Sequence, residues 1–190
     1  MIDILLAGVG GQGTVLAAKV LAQAAQNKGW QVRTAETIGM AQRGGSVASH
    51  VRGGHPQSPL VPLGCADCII AFEPGEAVRC IDYLAPGGTV IVNTQAVQPP
   101  VAALQNIDYD GAEALSYLRS LPDIRLVEVD GASICEQVGS PKVLNIALLA
   151  AAVDSGTLGI TREELENAVR GRVQPLFHEM NLNAIALVCA

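Results

Sequence analysis

Aromatic side chains are scarce in this chain. They make up 3% of its 190 residues, and there is one tryptophan, Trp30. Ala, Val, Leu and Ile must therefore fill the core. No cluster of Lys and Arg stands out, which argues against a broad nucleic-acid surface. The 12 basic residues are outnumbered by 18 acidic ones, for a net charge of −6, so an anionic partner would have to be met by a local positive site, not a global field. No apolar run approaches the roughly 20 residues that span a bilayer, so no membrane segment is expected. The N-terminus lacks a basic leader and reads straight into a strand, and the chain is read as soluble and cytoplasmic. The five cysteines are odd in number and scattered, unlike a disulfide framework. Cys65 and Cys68 form a C-x-x-C, which could be a redox pair or half a metal site. No second such pair completes a four-thiolate site, and a redox pair would open a helix. The plainer reading puts Cys65 in a loop and Cys68 at the start of a buried strand. There is no HExxH, no Ser/His/Asp arrangement and no informative pair of carboxylates, so no catalytic residue and no metal ligand is assigned. His50 shares a strand face with Arg52, and a structural role is the simpler reading for it.

What is present is 49% hydrophobic residues in a length that suits one domain, residues 1–190. Ile2–Ala7 is apolar except for Asp3, as in a strand buried on both faces. Residues 13–27 have helical periodicity, with polar Lys19, Gln23, Gln26 and Asn27 opposite Leu16, Val20, Leu21 and Ala24. Further strands are predicted at 30–36, 46–52, 68–72, around 88–93 and at 123–130. Further helices are predicted at 73–84, 111–121, 140–156, 161–172 and 174–190. The helix within 140–156 is apolar nearly all round, which requires burial in the core or at a subunit interface. Thr161 and Glu164 have capping-box spacing. Strands alternating with helices predict an α/β fold: a three-layer α/β/α sandwich, Rossmann-like, with a mostly parallel sheet.

Two loops carry the functional reading. Gly8-x-Gly10-x-x-Gly13 follows a strand and opens a helix, the context a phosphate-gripping loop requires. Free amides at a helix start, aided by the dipole, favour an anion there. Gly11 adds backbone freedom, Gln12 an amide and Thr14 a hydroxyl. Glu36 ends the second strand, near where an acid would take a ribose hydroxyl. In the second loop Arg43 precedes Gly44, Gly45 and Ser46, residue types that build an N–H nest beside a cation. A plain hairpin turn is the competing reading. If the second strand lies beside the first, both loops meet at one edge. Asn93, ending "VIVN", stands at a strand C-terminus, where ligands collect, or is a cap.

Together "GVGGQG", "ETIGMAQRGGSVASHVRGG", "SPLVPLGCADCIIAFEPGEAVR" and "PGGTVIVN" resemble the gamma-type subunit or domain of 2-oxoacid:ferredoxin oxidoreductases. "GMAQRGGSV" is most similar to the small (beta) subunit of the indolepyruvate-specific members. The likeness is strongest over residues 2–94 and continues through "SPKVLNIALLAAAV", where Asn145 falls at a family position. It implies one gamma-type domain in a complex that oxidatively decarboxylates aryl pyruvates to acyl-coenzyme A and carbon dioxide, reducing ferredoxin. It further implies that thiamine diphosphate and the iron–sulfur clusters reside in a large partner subunit, and that this chain is inactive alone. Residues Gly8–Thr14 and Arg43–Ser46 become candidate contacts for the phosphates of coenzyme A. Two other readings use the same loops. One is a regulatory nucleotide-binding module, favoured by Glu36. The other is a stand-alone dehydrogenase, for which 190 residues and three histidines leave little room.

Overall fold

The computed structural model describes residues 1–38, 45–98 and 108–190. Six strands form one sheet in the order β2-β3-β1-β4-β5-β6. They are β1 (Ile2–Val9), β2 (Gln31–Ile38), β3 (Ser46–Gly54), β4 (Ala66–Ala71), β5 (Leu84–Asn93) and β6 (Arg125–Val129). β1, β4, β5 and β6 run parallel, and β3 runs antiparallel to both β1 and β2. The sheet is therefore mostly parallel, as the sequence predicts.

The neighbour of β1 differs from the sequence reading. β3, not β2, lies beside β1, with Gly8 opposite Val47 and Val9 opposite Ser46. The cause is the connection. Residues 39–45 are too few for the crossover of a dozen or more residues that a parallel return requires, so β2 and β3 pair as a hairpin, Ile38 opposite Val47. β2 is pushed to the edge, and the parallel, Rossmann-like part of the sheet is β1, β4, β5 and β6.

Helices cover both faces. Against one face lie α1 (Thr14–Asn27), α4 (Gly131–Val138), α5 (Leu144–Asp154), α6 (Arg162–Arg172) and α7 (His178–Val188); against the other lie α2 (Pro74–Arg79) and α3 (Ala112–Ser120). Strand alternation sorts the two cores: Ile4 and Leu6 of β1 meet the larger layer, Leu5 and Ala7 the smaller. Asn145–Val153 of α5 are all buried, which places this nearly all-apolar helix in the core. At α6, Thr161 and Glu164 form the capping box in full. The helix expected over 73–84 stops at Arg79 and continues as a short 3-10 turn, Ile81–Tyr83. α4 has no counterpart in the sequence reading. Its start is held by Asp130, whose carboxylate accepts the Ser133 N–H. Trp30, half-buried at the turn after α1, lies against Gly53 and reaches Gly159; a Cβ on Gly53 would come within 3.0 Å of the indole. Among the described residues no helix is long and apolar enough to cross a membrane.

Candidate functional site at the glycine loop

The loop between β1 and α1 has two sides. The inner side is closed by the chain itself. Gln12 folds back, its Oε1 accepting the Val9 N–H at 2.7 Å and its Nε2 donating to the Phe72 carbonyl at 3.2 Å. The Gln12 N–H in turn donates to the Val9 carbonyl, and the Gly10 N–H donates to the Gly45 carbonyl at 2.9 Å. Gln12 thus ties β1 to the end of β4, and its amide is engaged there instead of reaching out toward an anion. Gly8 is a close-approach position: a Cβ there would lie 2.8–3.0 Å from Gln12, Thr14 and Phe72. Thr14 is buried, with its methyl turned toward Gly8.

The outer side is different. Gly13 takes φ +84° and starts α1 with no side-chain cap. The N–H groups of Gly13, Thr14, Val15 and Leu16 therefore have no intrahelical acceptor. Gly11, Gln12, Gly13 and Leu16 border a cavity of about 490 Å³. The positive helix end faces open space, which is what anion binding requires.

The second loop reaches the same corner from β3. Gly45 meets Gly10 through the hydrogen bond above, and Ser46 Oγ donates to Glu76 Oε2. Arg43 and Gly44 lie outside the described residues. Glu36 is exposed on edge strand β2, opposite Ser49 of β3. One whole strand separates it from β1, so the structure does not bring it to the glycine loop.

Asn93 is buried, and its contacts are internal. Its Nδ2 donates to the Phe72 carbonyl at 3.2 Å, and its Oδ1 accepts the Gly131 N–H at 3.2 Å. It brackets β4, β5 and the start of α4. Two buried acids went unread in the sequence. Glu73 caps α2 by accepting the Glu76 N–H, and it accepts the Tyr109 hydroxyl at 2.5 Å. Glu76 is held by Arg79 as well as by Ser46. Burial, then the Glu73 carboxylate, push the Tyr109 phenol well above its ordinary range. The spacing Glu73-Pro-x-Glu76, a cap before a proline at the first helical turn, was the available signal.

His50 and Arg52 are structural. His50 Nδ1 accepts the Val61 N–H, and burial lowers its pKa. Arg52 makes a two-pronged ion pair with Asp3 at 2.7 and 2.9 Å and also donates to the Ser58 and Leu60 carbonyls. Together they pin the Gly/Pro-rich connection beside β3. Cys65 is exposed before β4 and Cys68 is buried within it. Burial, reinforced by Asp67, pushes the Cys68 thiol up to about 12, far from a reactive thiolate.

Comparison with known proteins agrees in sequence and in fold. The indolepyruvate oxidoreductase subunit IorB of Archaeoglobus fulgidus is 36% identical over 98% of this chain and 92% of its own length. The corresponding subunit of Pyrococcus horikoshii is 32% identical over 97% and 93%. The crystal structure of the keto/oxoacid ferredoxin oxidoreductase gamma subunit from Geobacter sulfurreducens superposes with a TM-score of 0.73, at 25% identity, over 100% of this chain and 96% of that one. The family described as pyruvate ferredoxin/flavodoxin oxidoreductase matches residues 3–189. With that match running nearly from end to end, the chain belongs to the pyruvate ferredoxin/flavodoxin oxidoreductase family.

Proposed function

We propose that this chain is the small subunit of a cytoplasmic 2-oxoacid:ferredoxin oxidoreductase that acts on indolepyruvate or a related aryl pyruvate. The observation that carries the reading is end-to-end similarity to free-standing small subunits whose names specify indolepyruvate. The partner is a large subunit holding thiamine diphosphate and the iron–sulfur clusters, and ferredoxin is reduced there. The chain's own part is to pack on that subunit and to offer a phosphate contact to coenzyme A at the glycine loop, with Arg43–Ser46 as further candidate contacts. Its basis is a helix start left without a cap. The chain alone has no activity. The alternative of a regulatory module reading a ribose through Glu36 is weakened by the strand that stands between Glu36 and the loop.

The test is purification of the tagged chain from its native source, with assay of ferredoxin reduction by indolepyruvate and coenzyme A. A thiamine-containing partner should co-purify, and activity should appear only in the complex. Recovery of the chain solely as a free monomer would overturn the reading. Tight dinucleotide binding with indifference to coenzyme A would favour the regulatory one.

A further inference from the structure

The two faces of the sheet are covered unequally. Among the described residues, five helices lie on one face and only α2 and α3 on the other. On that thinner side α2 packs on β1, β4 and β5, while β3 is crossed by the Gly/Pro-rich connection. The backbone of this connection is pinned at four points. The Pro56 carbonyl accepts from Arg33, the Ser58 and Leu60 carbonyls accept from Arg52, and the Val61 N–H donates to His50. Val61 turns into the smaller core. Leu60 and Leu63 turn out, 49% and 66% exposed. Residues 53–64 contain no Lys, Arg, Asp or Glu. Two leucines are thus displayed on a backbone already fixed in place, and little freedom is left to lose when they dock.

The apolar surface continues past the connection. The Gly64 N–H donates to the Asp82 carbonyl at 2.8 Å, and the Tyr83 ring lies edge-on to His50. Beside them, between the turn Ile81–Tyr83 and the end of α3, runs a groove of about 310 Å³. Ile81, Leu84, Pro86, Tyr117, Leu121 and Ile124 line it, and Tyr117 is 46% exposed. Its charged side chains are two carboxylates, Asp82 and Asp123, with no Lys or Arg among the lining residues. Both acids are exposed, and neither side chain has a hydrogen-bond or ion-pair partner among the described residues. An apolar groove flanked by unpaired acids chooses its occupant by charge. A second copy docking face to face would set the same acids against each other. The occupant is therefore a different chain, apolar where it enters the groove and basic at its flanks.

We infer that this α2/α3 face is the surface on which the large subunit docks. Leu60, Leu63 and Tyr117 are its anchors, and the groove takes an apolar segment of that subunit whose Lys or Arg side chains reach Asp82 and Asp123. Interface cores are poor in charge and rich in such aromatic anchors. The identity of the occupant as the large subunit rests on the proposed function above; its apolar and basic chemistry does not.

The experiment is co-expression of the full chain with a tagged large subunit, reading how much of the chain is retained over a series of salt concentrations. Leu60→Glu and Leu63→Glu should each weaken association by roughly tenfold. Asp82→Asn and Asp123→Asn keep the shape, and Asn tolerates the φ of +58° at position 123. Combined, they should lower retention severalfold at low salt and match the parent at high salt, where screening has already removed the attraction. Leu187→Glu makes the same change on the opposite face, at a residue 44% exposed on α7, and should assemble like the parent. All these positions are exposed or nearly so, and circular dichroism of each variant confirms its fold. Leucine variants that assemble like the parent, or a complex broken by Leu187→Glu alone, would overturn the docking surface and leave the proposed function standing. Loss of self-association in Leu63→Glu with unchanged retention by the large subunit would reassign the face to a contact between copies. A parent chain that retains no large subunit at all would sink the proposed function, and this occupant with it.

Discussion

At the scale of single residues, the polar groups that look most chemical do structural work. Asp3 and Arg52 neutralise each other across the β3–β1 pair. Arg52→Met strands a buried carboxylate and should cost about 3–5 kcal/mol, while replacing both partners with apolar residues should cost far less. Urea titration of the single and double variants measures the difference. Asn93 is a bracket, so Asn93→Leu should cost about 1–3 kcal/mol by leaving the Gly131 N–H without its acceptor. His50 gives a pH dependence. Burial lowers its folded pKa below the ordinary 6.5, so on acidification the unfolded chain takes up the proton first. Stability should therefore fall as pH drops below about 6.5, until the folded imidazole also titrates. His50→Gln should flatten the part of that slope due to this residue. A slope unchanged by the substitution would assign it elsewhere.

At the scale of elements, the β1–loop–α1 unit was legible because three signals agree: an apolar run, glycines at fixed offsets and a helical period. The same holds for α6, where Thr161 announces its own cap. Thr161→Ala should cost about 1 kcal/mol, read as a shift in urea midpoint without a change in slope. The β2–β3 hairpin was not legible as such. Val32, Ala35, Val47 and Val51 fit a strand in either direction, and only the shortness of the connection decides for antiparallel pairing. Gln12 was misread for a similar reason. Sequence shows an amide near a glycine loop, and only the fold reveals that the Phe72 carbonyl stands within its reach. Gly8→Ala tests how tightly the corner is packed. Its Cβ would press on Phe72 and Thr14, and a loss of about 1–3 kcal/mol is expected. A neutral result would mean that α1 can slide away from β1.

At the scale of the whole molecule, the two cores share one sheet. Leu5 and Leu6 are neighbours in sequence but belong to opposite layers, so neither layer can lose its packing without exposing strands the other depends on. Thermal unfolding should therefore be a single transition, with backbone circular dichroism and tryptophan emission coinciding. Separated midpoints would mean that the α2/α3 layer comes away first.

Trp30 has a further use. It is the one indole in the chain, and it lies at the far end of a 14-residue helix from Gly13, about 20 Å away by helical rise. Its fluorescence therefore reports whether the α1–sheet junction is intact and stays dark to events at the cavity. An optical titration that quenched this emission would be recording damage to the scaffold, not arrival of a phosphate.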